Sequence, residues 1–466
     1  AKQVEDFSTV RRSTWNIDLR DSSACLRSAR WFGTRKDCQR TSRVISMEKF
    51  FDFLDRRVAG PMSMVSEQRH IRAIRDGVIS AIPFIIAGSF ILIIAAPPVP
   101  ETSGFAMWAK SHAEQILVPY RMTFGIMSLY VCFGVGSSLA RSYDLDGLAG
   151  GQLGVAAFLL SLTPKTFKGG IYLAFDGLGS KGLFPAMILA LLAVEVMRVC
   201  YKYDLTFKMP EQVPESVSRS FGAVVPTFIV MGVMVLVSVV FKVDIVDVVQ
   251  QGLSPLVKAG DSLPGVLVPA FLVVFLWFFG ISGDSVVGSV ARPVWLQYLS
   301  DNADAVAAST PAPHIAPETF FQWFVSIGGS GATISLVIAG FLVGKAKYTK
   351  SITRAVAVPA LFNISELIMF GLPVMMNPFF IVPFLLTPLI LCVVTWFAFR
   401  WGFVTYMAVQ PPWTLPAPIG AFLATGGDWR AVILCLMNIL ISTVVYYPFM
   451  RMYDRDQLKK EQYEKW

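Results

Sequence analysis

Apolar runs, each about the length of a bilayer crossing, recur between residues 78 and 449 of this 466-residue chain. A bilayer core about 30 Å thick takes about 20 mostly apolar residues per helix. Runs of that kind lie at 78–96, 122–140, 147–164, 183–201 and 220–241, and again at 264–281, 321–344, 376–398 and 431–449. The pattern predicts an all-α polytopic membrane protein of about ten transmembrane helices plus re-entrant hairpins.

Polar positions divide the chain further. Residues 1–46 are Arg-rich and lack helical periodicity, which predicts a disordered extension or non-native sequence before a start at Met47. That segment has no apolar stretch and cleavage site of the signal-peptide kind. From Met47, MEKFFDFLDRRVAG alternates apolar and charged residues at helical spacing, so 47–77 reads as an amphipathic helix on the cytoplasmic side. Arg69, Arg72 and Arg75 then precede the first apolar run and place the amino terminus inside.

The pattern changes near residue 260. Before it the apolar runs are continuous, and 78–260 reads as a scaffold, to which the family resemblance given below adds a dimerisation role. After it they are interrupted at Gly280 to Pro293, Val358 to Asn377 and Gly402 to Gly420. Non-helical backbone survives at membrane depth only where protein or a water-filled cavity satisfies its polar groups. Residues 261–450 therefore read as a transport domain, with 451–466 as a cytoplasmic tail.

Composition supports lipid as the solvent: 54% of residues are hydrophobic and 15% charged, against roughly 25% charged in soluble domains. The formal charge of +8 needs no nucleic-acid partner, because cytoplasmic loops collect Lys and Arg. The basic loop Lys345, Lys347, Lys350 and Arg354 suits lipid headgroups, or an acidic partner surface. Six cysteines show no CxxC spacing, and the three histidines, none in an HExxH arrangement, read as solvated loop residues. Neither metal nor cofactor is indicated.

Candidate chemistry concentrates in the interrupted segments. Glu366 sits inside LFNISELIMFGLPVMMNP, where a carboxylate costs about 2.5 to 3.5 kcal/mol on insertion scales unless partnered. It accepts several hydroxyl donors at once, which suits a sugar, and Asn363 adds donor and acceptor capacity; an ion pair used for helix packing is the competing reading. In WFFGISGDS, Gly280 permits the tight tip of a re-entrant hairpin that carries Ser282, or the pair marks a helix kink or packing face. Trp413 in PPWTLPAPIG offers an indole face to a pyranose ring, or sits in an interfacial belt. Lys181 opens a span and is a substrate-contact candidate, although a snorkelling lysine at a helix end is the commoner explanation.

Several dispersed motifs resemble one family. SEQRHIRAIRDG, LGSKGLF, WFFGISG, IGGSGAT, FNISELIMFGLP and PWTLPAPIGAFLATGGDWR occur in this order, similar to the membrane-embedded IIC component of phosphoenolpyruvate-dependent sugar phosphotransferase systems, in the lactose/cellobiose/diacetylchitobiose group. The resemblance implies a homodimeric permease of the bacterial inner membrane. It implies an elevator-type motion that carries a disaccharide or amino-sugar disaccharide inward, where separate IIB and IIA proteins supply phosphate. Glu366 then matches the sugar-binding glutamate, with Asn363 and Trp413 beside it. Ser282 departs from the pattern, because the family has His there. A sugar facilitator or ion-coupled porter uncoupled from phosphorylation, a membrane enzyme acting on a lipid-linked sugar, and a non-transporting sensor are the competing functions.

Overall fold

The computed structural model describes Met64 and residues 67–99, 102–163, 165–167, 169–207, 221–372, 374–375 and 377–463. The expected extension at 1–46, and the amphipathic helix up to Ser63, lie outside the described residues. The basic cluster at 69–75 belongs to the first turns of a spanning helix, α1 (Arg69–Ala95), which Gln68 starts by accepting a hydrogen bond from the Ile71 amide.

α1 packs against α2 (Met127–Ser142), which in turn packs against α3 (Gly147–Ser161) and α4 (Leu183–Lys202), around a core that includes Phe124, Val131, Phe158 and Leu183. Small residues allow this close approach. A Cβ at Gly77 would strike the backbone of Val135, and one at Gly136 would strike that of Gly150. Between α3 and α4 lies a short antiparallel hairpin, β1 (Lys165–Phe167) and β2 (Gly170–Tyr172), the only strands among the described residues. α5 (Val224–Val235) continues through a wider turn, Leu236–Val240, and then meets α6 (Ile245–Gly260) at an 84° bend.

Beyond residue 260 a second core gathers around Phe320, Trp323, Phe324 and Phe399. α7 (Leu263–Phe278) and α8 (Gly283–Ala307) form a helical hairpin, followed by α9 (Thr333–Val343), α10 (Lys347–Leu361), α11 (Glu366–Gly371), α12 (Ile381–Arg400), α13 (Ala417–Ala424) and α14 (Trp429–Tyr463). Five described helices are long and apolar enough to cross a membrane, or six if the bent pair α5/α6 counts as one span.

The structure departs from the sequence reading at four places. The interruption expected over Gly280–Pro293 is confined to a turn at 279–282, and α8 runs on through Pro293. The run 321–344, expected as one span, breaks after a wide turn at Phe321–Val325 and resumes at Thr333. Three glycines with positive φ, Gly328, Gly329 and Gly331, make that break, and Asn438 on α14 donates to the freed Phe324 carbonyl at 2.8 Å.

The basic loop at 345–354 is largely the first turns of α10. Its amino end is held by Asp454, whose carboxylate accepts from the Lys345 and Ala346 amides. Asp454 belongs to the segment expected as a tail, but α14 continues to Tyr463, so this stretch is a packed helical extension. The basic turns of α10 therefore lie beside the carboxyl end of α14. At the opposite end of that helix, Gly427 sits against Pro98, just past α1.

Candidate functional site

A cavity of about 450 Å³ opens where three breaks of the carboxyl-terminal half meet α1. Glu366, Asn363 and Trp413 line it, although they come from two separate interruptions of the chain. Ile79, Ile82 and Ile86 of α1 form an apolar wall.

Asn363 explains how the pieces meet. It adopts a left-handed conformation, φ 61°, which asparagine tolerates better than most residues. Its Oδ1 accepts from the Gly328 amide at 2.9 Å, while Nδ2 donates to the Trp413 and Leu415 carbonyls at 2.8 Å each. One side chain thus ties the Gly328–Gly331 turn and the proline segment to the turn before α11. Both amide hydrogens are committed to the protein, so the donor capacity expected of Asn363 is spent on positioning.

Glu366 differs. It begins α11, is exposed to the cavity, and has no hydrogen-bond or ion-pair partner among the described residues. Trp413 is 57% exposed. A carboxylate free to accept hydroxyls beside an aromatic face is a combination that suits a sugar.

The other three sequence candidates fall elsewhere. Gly280, with φ 80°, makes the α7–α8 turn but does not border the cavity. Ser282 precedes α8 and shares a hydrogen bond with Ser285 at 2.9 Å, also away from the cavity wall. Lys181 lies in the Ser180–Gly182 turn before α4, where its backbone carbonyl accepts from Gln250 Nε2 at 2.7 Å.

Sequence reasoning passed over Asp284, Arg292 and Glu318, all of which line the cavity. Asp284 Oδ2 accepts from Trp277 Nε1 at 2.6 Å and from the Ser330 hydroxyl. Arg292 Nε donates to Glu318 Oε1 at 2.8 Å. Their signal was the one that exposed Glu366: ionisable residues inside or beside apolar segments.

Outside the cavity, two histidines are bound rather than solvated. His70 pairs with Glu195 at 2.9 Å, and Tyr143 donates to the same carboxylate oxygen at 2.6 Å. His314, in the connection after α8, lies between Asp301 at 3.1 Å and Asp261 at 3.5 Å. Burial alone would lower its pKa, but hydrogen bonds and charge from the two aspartates override this and raise it to about 9. Cys132, Cys200, Cys392 and Cys435 are buried free thiols, used as apolar fillers.

The family "Phosphotransferase system, EIIC" matches residues 75–388. This chain belongs to the phosphotransferase system EIIC family. The lichenan permease IIC component of Bacillus subtilis (strain 168) is 37% identical over 436 residues, covering 89% of this chain and 96% of that protein. The cellobiose-specific EIIC component of Geobacillus stearothermophilus is also 37% identical, over 440 residues, covering 89% and 97%. Among solved structures, the transporter ChbC, the IIC component from the N,N'-diacetylchitobiose-specific phosphotransferase system, superposes with a TM-score of 0.82 at 36% identity, over 88% of this chain and 99% of that one. EIIC proteins are multi-pass membrane permeases for sugars that work with IIA and IIB partners, and this EIIC chain is one of that family.

Proposed function

We propose that this chain binds a disaccharide or amino-sugar disaccharide in the cavity bordered by Glu366 and Trp413, and delivers it to the cytoplasm for phosphorylation by a IIB partner. The observation that carries the reading is Glu366: a carboxylate with no described protein partner, opening onto a cavity that also exposes an indole. Keeping it there unpartnered is costly unless water and hydroxyls reach it.

In this reading 78–260 is the scaffold and dimerisation domain, 261–450 carries the sugar, and an elevator-type motion moves the second against the first across the bacterial inner membrane. About ten crossings result if the shorter apolar helices α3, α7 and α9 and the broken segments are counted with the long ones. The basic amino end of α1 and the basic turns of α10 beside the carboxyl end of α14 then both face the cytoplasm.

The test is sugar binding by the purified, folded protein. Glu366→Gln is expected to weaken it about a hundredfold, because one oxygen acceptor becomes a donor where hydroxyl protons point; unchanged affinity in a titration would remove the role. The runner-up, a facilitator that needs no phosphorylation, is favoured by one observation: Ser282 stands where the resemblance has His and lies off the cavity wall. Sugar uptake into vesicles lacking IIB separates the two.

A further inference from the structure

The charge balance of the same cavity narrows the substrate class, and the argument rests on the reading that a sugar occupies it. Four ionisable side chains line the cavity: Asp284, Arg292, Glu318 and Glu366. Arg292 and Glu318 neutralise each other at 2.8 Å. Two carboxylates remain, and neither lysine nor histidine lies in the wall to offset them. Asp284 Oδ2 is occupied by Trp277 and Ser330, whereas its Oδ1 has no partner among the described residues, and neither does either oxygen of Glu366.

Hydroxyls of a neutral sugar satisfy the hydrogen-bonding capacity of two carboxylates but leave their charge uncompensated, since the rest of the wall is apolar side chains and neutral serine, glutamine and asparagine. A cation bound between them gains from both. A bare metal ion is a poor candidate, since it takes about six or more converging oxygens, and no group of three His, Cys, Asp or Glu side chains is arranged for one among the described residues. We propose that this cavity selects a sugar bearing a free, protonated amine, with Asp284 as the residue that sets the preference and Glu366 as the shared sugar ligand. An acetylated amine is neutral and bulkier, and its single N–H gains a hydrogen bond at most, without charge, from the second carboxylate.

The experiment is a titration of the purified full-length protein, in slightly acidic buffer, with three sugars: the unacetylated glucosamine dimer, cellobiose and N,N'-diacetylchitobiose. The amine-bearing dimer is expected to bind at least about tenfold more tightly than the other two. In Asp284→Asn, which keeps the side chain's size and an acceptor for Trp277 and Ser330, that preference should collapse to about twofold. Thermal unfolding of the unliganded variant checks that it folds, and Asp284→Ser provides a second variant lacking the charge. Neutral sugars binding as well as the amine, or a preference that survives in both variants, overturns the inference and leaves the disaccharide reading intact. Failure of the folded wild-type protein to bind any of the three overturns both.

Discussion

The two halves of the chain solve one problem, how helices associate in lipid, by different means. Before residue 260 the contacts are made by shape. α1, α2 and α3 approach through Gly77, Gly134, Gly136, Gly150 and Gly151, and the buried polar side chains described there are six serines, of which Ser89, Ser128 and Ser161 donate to backbone carbonyls. After residue 260 the described chain buries three times as many polar side chains. Some serve where helices break: Asn438 takes the Phe324 carbonyl, while the buried Tyr446 takes that of Gly331 at 2.6 Å and the half-buried Asn363 joins three turns. Unbroken helices satisfy their own backbone and need only close packing, whereas a broken helix needs side chains to replace the hydrogen bonds it gives up. The cavity exists because the second half meets that cost.

The comparison breaks most sharply at a helix crossing. Gly77→Leu places a side chain against the Val135 backbone, which cannot move without separating α1 from α2. It should cost about 3 kcal/mol or more, read as loss of monodisperse protein in detergent or a large drop in Tm. Gly232→Leu in α5 is the control, because nothing lies within 4 Å of a Cβ there. Equal losses in the two would mean that α1–α2 packing is not specially dependent on a bare backbone.

Next in size is the junction in the second half. Asn363→Gly keeps the left-handed backbone but removes the amide, leaving the Trp413 and Leu415 carbonyls and the Gly328 amide without their partner. Stability should fall by about 2 kcal/mol. Sugar affinity should fall about tenfold as Trp413 loses its anchor. Affinity within about twofold of wild type would show that the indole is placed by something else.

This junction also marks how far the sequence was legible. Long apolar runs announced α1, α4, α12 and α14, because a spanning helix writes its length directly into hydropathy. Glu366 and Trp413 stood out as residues foreign to their surroundings. Asn363 was noticed for the wrong property, since spacing shows an amide's capacity to bond but not the carbonyls, some 50 residues away, that use it. Ser282 and Lys181 lie off the wall of the cavity that holds Glu366. The break at 326–332 was hidden inside an apolar run, because three small residues lower mean hydropathy too little to interrupt it.

The smallest effect tests whether the polar half also depends on charge. His314 is held between Asp261 and Asp301, and its pKa in the folded protein, about 9, stands above the unfolded value of 6.5. A raised folded pKa means that the protonated ring stabilises the fold. That contribution is complete below pH 6.5 and is lost as pH rises through about 9. The shift caps the contribution near 3 kcal/mol, and partial exposure of the ring reduces it to about 1–2 kcal/mol. Wild-type protein should therefore lose more stability than His314→Gln when the buffer is taken from neutral to above that pKa. The loss should be visible in the carboxyl-terminal half first, because Asp261 also holds the Ile315 and Ala316 amides beside α7. Parallel decline of the two proteins would assign the alkaline sensitivity to other groups and leave hydrogen bonding alone as the means by which the broken helices are held.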